Sequence, residues 1–332
     1  LSDIAPASDF FDGLLTQIRH DASEFLVITV SRCGRYAPSP TGPLHLGNAR
    51  TALLAWLQAR LANARFVLRM EDMDRPRCVP GSTVQIIDEL RWMGLEWDEG
   101  PDCGGPPGPY LQSQRDQLYI AAYEHLSAAG ALYPCSCSRK DIAIASAPHQ
   151  KTTVYPGTCR QRPLLESRPP SWRFRVDDRT VSYCDAIHGD LSQSLANEAG
   201  DFVIRRADNV FSYHLAVVVD DALMGVSDVV RGDDLIESTP CQIALGQALG
   251  FATPTYWHVP MMYDGDQRMA KRDGSHSIAQ WRQRGNSPGQ MVGYLAASLG
   301  LVTMGADLSA AELLSDFDLE SLQRCLRAQI GN

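Results

Sequence analysis

A histidine and a lysine far apart in the chain are, by type and surroundings, suited to handle a phosphate group. His45 lies in the run Pro38-Ser39-Pro40-Thr41-Gly42-Pro43-Leu44-His45-Leu46-Gly47-Asn48, which follows a β-like stretch ending at Ala37 and opens an amphipathic helical stretch over 49–62. A strand, a Pro/Gly-punctuated loop and a helix N-terminus form an anion site, because backbone N–H groups and the helix dipole point at one place. There the His45 ring can donate to a phosphate oxygen, and Gly47 lets a flat ligand approach the backbone. Lys271 sits between Arg268 and Arg272. Only three lysines (Lys140, Lys151, Lys271) stand against 27 arginines, so an ammonium here departs from the habit of the chain. A compact ammonium suits a phosphate that must be followed as a point charge. Taken singly, His45 reads as a polar cap and Lys271 as a solvated charge.

Cysteines form the second set. Cys135-Ser136-Cys137 and the later Cys159 lie in a turn-rich segment, the pattern of a structural metal knuckle. Three thiolates leave one corner of a Zn²⁺ tetrahedron open. The other six cysteines show no pairing and read as core or surface thiols. Arg139, Lys140, Arg160 and Arg162 beside the knuckle, and Arg282 and Arg284 further on, are either contacts for RNA phosphates or a solvated surface.

The elements that must position these groups follow from periodicity. A buried strand is expected over 24–35 and another over 66–70, flanking the first helix, which gives a βαβ unit and a parallel sheet. Helices are expected over 84–93, 115–129 and 238–249, and strands over 172–176, 202–205 and 258–262. The continuous apolar run 215–219 reads as a central parallel strand. From Pro288 onward the pattern is helical. Two βα halves separated by a long insertion place a ligand crevice at the strand C-termini. No GxGxxG or GxxxxGK[ST] loop offers another nucleotide site.

The length of 332 residues suffices for one large or two ordinary domains, and 44% apolar residues is the composition of a globular protein. No apolar run approaches the roughly 18–20 residues of a membrane span. The first residues lack a signal-peptide layout, so a cytoplasmic location is the expectation. A net charge of −9 argues against a general nucleic-acid binder but leaves room for a local basic face.

The stretch 38–50 resembles the HIGH signature of class I aminoacyl-tRNA synthetases, here His45-Leu46-Gly47-Asn48, and Arg268-Met269-Ala270-Lys271-Arg272 resembles their KMSKS signature. It departs from that pattern at Arg268, Ala270 and Arg272. With Arg69-Met70-Glu71-Asp72-Met73-Asp74, the resemblance narrows to the glutamate-activating branch, and over about 34–288 to its short family, the glutamyl-queuosine tRNA(Asp) synthetases. That resemblance implies a Rossmann-like α/β catalytic domain whose parallel sheet is split by a zinc-bearing insertion, followed by a short helical region. The expected divisions are 1–33 (extension and first strand), 34–75 (first catalytic half), 76–200 (insertion, with a zinc segment at 130–165), 201–285 (second half) and 286–332 (helical). It also implies that His45, Gly47, Asn48 and Lys271 bind ATP, with His45 and Lys271 catalytic and Mg²⁺ accompanying the nucleotide. Glu71 would hold the amino group of glutamate, and Arg35, Ala37, Ser39, Tyr213 and Arg231 would line its site. A guanidinium fork, from Arg35 or Arg231, suits a γ-carboxylate. Asp72 and Asp74 are alternatives to Glu71, a salt bridge to Asp233 or Asp234 is the alternative for Arg231, and a core aromatic for Tyr213. Tyr155 would complete the metal shell, with His149 competing.

The implied reaction is ATP plus L-glutamate to glutamyl-adenylate, without tRNA, then transfer to the queuosine base of tRNA(Asp) by a monomer. Only 61 residues follow Lys271, too few for an anticodon-binding portion, which favours the queuosine acceptor. The alternatives are a truncated glutamyl-tRNA synthetase charging a 3′ end and a non-catalytic RNA- or amino-acid-binding relative.

Overall fold

The computed structural model describes residues 13, 32–138, 140–142, 154–162, 168–264, 267–268 and 277–330. The expected βαβ unit is present. Strand β1 (Cys33–Tyr36) pairs in parallel with β2 (Arg65–Leu68), and α1 (Leu46–Leu61) crosses between them. The part of the first expected strand before Arg32 lies outside the described residues. Then come α2 (Ser82–Trp92), α3 (Asp116–Ala128), β3 (Leu132–Cys135), β4 (Ser171–Phe174), β5 (Thr180–Asp185), β6 (Gly189–Ser194) and β7 (Phe202–Arg205). They are followed by α4 (Tyr213–Leu223), β8 (Asp228–Gly232), α5 (Thr239–Ala248), β9 (Thr255–Val259) and the short hairpin β10 (Tyr263–Asp264)–β11 (Gln267–Arg268). The C-terminal part is helical, as expected: α6 (Ile278–Gln283), α7 (Pro288–Ala297), α8 (Ala310–Ser315) and α9 (Leu319–Ala328).

The main sheet has the order β2-β1-β8-β9-β5-β6, parallel except for β6. Strands buried on both faces alternate between two cores. Val230 and Trp257 face the side of α1 and α7–α9, while Val229 and Tyr256 face the side of α3, α4 and α5. α1 is buried nearly all round, and Leu53, Leu54 and Leu57 each contribute about 1.5–3 kcal/mol by leaving water. Strands β3, β4 and β7 form a separate antiparallel sheet beneath the cysteine segment. Residues 180–194, placed by sequence within the insertion, add β5 and β6 to the main sheet instead.

The strand expected over 258–262 lies earlier, at Thr255–Val259, and one expectation of element type fails. The run 215–219 is not a central strand but the core of α4. Ser212 caps this helix, its hydroxyl accepting from the Leu215 N–H. The β-branched valines suggested a strand, but helix propensity differences are small beside burial on several sides. The consequence is functional, because a helix here carries Asp220 and Asp221 inward.

Candidate active site

The C-terminal ends of β1 and β8 diverge at the point where the strand order reverses, and a cleft of about 660 Å³ opens there. Eight residues expected from sequence line it: Arg35, Ala37, Ser39, Gly47, Asn48, Glu71, Tyr213 and Arg231. Arg50, Arg77 and Asp234 line it as well. Four guanidinium groups against two carboxylates make it a site for anionic ligands.

His45 is not among the residues that line this cleft; it is the N-cap of α1, whose first-turn residues Gly47 and Asn48 do line it. Its Nδ1 accepts from the Asn48 N–H at 3.3 Å, which leaves the ring proton on Nε2. The capping role and the donor role are therefore compatible, because they use opposite ring nitrogens. No acidic residue occupies the first turn of α1, so the helix dipole acts there uncompensated. Gly47 has a reason beyond ligand access: a Cβ there would lie 3.2 Å from the His45 ring. The segment containing Lys271 lies outside the described residues, but both its flanks pack here. Ser277 bridges His45, the Ile278 N–H donates to Leu44 O at 3.0 Å, and Met262 borders Gly47.

Around Glu71 is a buried ionic network that the sequence did not announce. Arg69, wholly buried, donates from Nη1 to Asp221 at 2.7 Å, reaches Glu71 at 3.4 Å and lies 3.7 Å from Asp220. Asp220 also accepts from Arg115, Gln112 and Tyr119 at 2.6–2.9 Å. Arg35 lies 3.5 Å from Asp221 and donates to Val230 O at 2.9 Å. Burial pushes the Glu71 carboxyl above its ordinary range, outweighing the pull of Arg69 and Arg35. The alternatives to Glu71 are employed elsewhere: Asp72 accepts from the Ser113 N–H and hydroxyl, and Asp74 lies 3.8 Å from Arg77. The acidic pair 220–221, at the end of an apolar run, was the available signal for this network.

Arg231 does not pair with Asp233 or Asp234. Its Nε donates to His258 Nε2 at 3.1 Å, Nη1 to Gln242 at 2.7 Å and Nη2 to Thr239 at 2.7 Å. Tyr213 is 39% exposed, so it is a wall of the cleft and not a core aromatic.

The family description "tRNA synthetases class I (E and Q), catalytic domain" matches residues 33–320. The chain is 51% identical over 304 residues to a glutamyl-Q tRNA(Asp) synthetase of Symbiobacterium thermophilum, covering 88% of this chain and 94% of that one. The chain belongs to the glutamyl-Q tRNA(Asp) synthetase family of class I synthetases. A second member, from Nitratidesulfovibrio vulgaris, is 46% identical over 81% of this chain and 86% of its own. Among solved structures, a glutamate–tRNA synthetase from Elizabethkingia anophelis superposes with a TM-score of 0.75 at 30% identity. The match covers 87% of this chain and 66% of that longer one. As a family member the chain is an ATP-dependent glutamate ligase of the class I synthetase type.

The family resemblance also implied a metal centre, and the donors present fit one. Cys135, Cys137 and Cys159 bring their sulfurs within 4.8 Å of one another, with Cys137 and Cys159 3.4 Å apart. The Tyr155 hydroxyl lies 3.3 Å from Cys135 Sγ and 3.7 Å from Cys137 Sγ. Burial opposes ionisation of Cys159, but hydrogen bonds from Tyr155 and neighbouring groups outweigh it and bring the thiol down to about 7. Burial and the hydrogen bonds with Cys135 and Cys159 hold the Tyr155 phenol above its ordinary range, so it stands protonated beside the thiols, with the Arg173 guanidinium over its ring at 3.9 Å. His149 lies outside the described residues. Of the basic residues noted from sequence, Arg160 is bound to Asp201 and Arg282 to Asp88, while Lys140, Arg162 and Arg284 are exposed. Arg139 lies outside the described residues. No helix among the described residues is long and apolar enough to cross a membrane.

Proposed function

We propose that the cleft binds L-glutamate beside ATP, forms glutamyl-adenylate without tRNA, and transfers glutamate to the queuosine base of tRNA(Asp). The observation that carries this reading is the convergence of Arg35, Arg231, Glu71 and the His45 helix N-terminus on one cleft. A carboxylate oxygen of glutamate attacks the α-phosphorus and pyrophosphate leaves, so the protein needs no nucleophile of its own. Its work is to align the reactants and neutralise charge growing on phosphate oxygens. The Glu71 carboxylate takes the ammonium, the guanidinium groups of Arg35 and Arg231 take carboxylate, and Ala37, Ser39 and Tyr213 shape the wall. His45 Nε2, the N–H groups at Gly47 and Asn48, and Lys271 take the phosphates, with Mg²⁺ on the nucleotide. The acceptor rests on what the named relatives act on. We place the enzyme in the cytoplasm as a monomer, a location that accords with use of ATP and tRNA.

Glutamate-dependent pyrophosphate exchange in the absence of RNA tests the first step, and its absence would sink the enzyme reading. Labelling tRNA(Asp) with and without queuosine tests the acceptor, and equal labelling of both would favour a 3′-end acceptor.

Two expectations follow for the bound groups. Protonating Glu71 removes the charge that holds the ammonium, and its raised pKa places that loss above the ordinary carboxylate range. KM for glutamate should therefore rise on acidification from that point while KM for ATP does not, and Glu71→Gln should give a high, flat profile. We assign Zn²⁺ to Cys135, Cys137, Cys159 and Tyr155. Bound there, it would tie β3 to the 158–160 turn. Cys135→Ser should lower zinc content measured by atomic emission and increase proteolysis within 130–165; zinc-free wild type would remove the assignment.

A further inference from the structure

Three neighbouring parallel strands carry a row of buried polar side chains behind the cleft. Arg231 on β8 is the register partner of His258 on β9, and β5 ends at Asp185, the register partner of Tyr256. Asp185 and His258 are wholly buried and line no cavity wall of the cleft, while Arg231 does. The Asp185 Oδ1 accepts from the N–H groups of Ile187 and His188 at 2.9 Å, and its Oδ2 lies 2.7 Å from His258 Nδ1. With so many donors aimed at it, the Asp185 carboxyl is held ionised, and the proton of the His258 ring sits on Nδ1. Nε2 is then a lone pair, and it accepts from Arg231 Nε at 3.1 Å.

We infer that Asp185 and His258 are positioning residues that lock the Arg231 guanidinium in the orientation that reads a side-chain carboxylate. The inference rests on the glutamate reading above. His258 takes the Nε proton, while Thr239 and Gln242, from α5, each take one proton from a terminal nitrogen. One hydrogen on each terminal nitrogen is left over, the number a carboxylate accepts from a bidentate fork. The plane of the group is fixed as well, because Arg231 lies over the Tyr256 ring at 4.9 Å and His258 stacks on the same ring with an interplanar angle of 11°. If the His258 proton moved to Nε2, two donors would face each other and the fork would turn. Asp185 prevents that. A carboxamide offers one acceptor where a carboxylate offers two, so a fixed fork discriminates glutamate from glutamine, and a loose one does so less.

The test is glutamate-dependent pyrophosphate exchange by the full chain, without RNA, reading KM for glutamate, KM for ATP and the preference for glutamate over glutamine. His258→Leu is expected to raise KM for glutamate about 10- to 100-fold, the worth of one hydrogen bond to a charged group. KM for ATP should stay within about twofold, and the preference over glutamine should narrow. His258→Gln, which returns an acceptor near the Nε2 position, should recover most of the loss. Asp185→Asn, whose amide N–H₂ favours the other tautomer, should resemble His258→Leu. Wild-type KM for glutamate in His258→Leu, or an equal rise for both substrates, would overturn the proposal. Should the leucine variant fail to fold by circular dichroism, the glutamine and asparagine variants decide between the same outcomes. Wild-type protein without glutamate-dependent exchange would remove the glutamate reading and this inference together, whereas an active wild type with an indifferent His258→Leu removes the inference alone.

Discussion

Replacing Arg69 by leucine should cost the fold about 3–5 kcal/mol and lower the thermal midpoint by roughly 5–15 °C. The magnitude comes from what the change leaves behind. Asp220 and Asp221 would keep their places on α4, in the interior, with Arg69 gone from between them. Asp220 retains Arg115, Gln112 and Tyr119, but among the described residues Asp221 retains only the longer ion pair with Arg35. Removing one partner of a buried pair costs far more than the pair contributes, because a charge is left without compensation. The pH dependence has a definite sign. Burial pushes the Asp221 carboxyl up, but Arg69 and Arg35 outweigh it and hold the group below its usual range. Its contribution is therefore present at neutral pH and lost only as pH falls through that lowered value. Leucine at 69 should shift acid unfolding to higher pH. Arg69→Lys keeps the charge but not the fork, and should fall between leucine and wild type. Thermal and acid melts followed by far-UV circular dichroism measure this; a loss under 1 kcal/mol would mean the carboxylates are stabilised by other groups.

His45→Ala should slow glutamate-dependent pyrophosphate exchange by a factor on the order of 10²–10³, the effect of losing one donor to charge developing on a phosphate. The alanine also removes the cap of α1, worth about 1 kcal/mol of stability. The two losses separate in His45→Asn. Asparagine caps well, accepting from the Asn48 N–H, but cannot place a donor where Nε2 stands. Stability near wild type with slow exchange is the expected result. Recovery of exchange in the asparagine variant would assign His45 to the cap alone.

Much of the cleft was legible in the chain. The loop 38–48 ends a strand and starts a helix, and its Pro and Gly residues fix the local geometry before any long-range contact forms. The cysteine pattern was legible too, and the three sulfurs lie within 4.8 Å of one another. Local patterns misled about element type at 215–219, where a valine-rich run stands in a helix. The run was buried on several sides, and such burial erases the periodicity that separates helix from strand.

What the amino-acid sequence determined alone was the βαβ unit that carries His45, the helical C-terminal part and the cysteine cluster. Only the tertiary structure decided how the charged groups behind the cleft are satisfied. Arg69 meets Asp221 across 152 residues, and His258 meets Asp185 across 73. Parallel strands are joined through long crossovers, so neighbours in the sheet are distant in the chain. A buried charge must find its partner among those neighbours, and no local spacing records which one it finds.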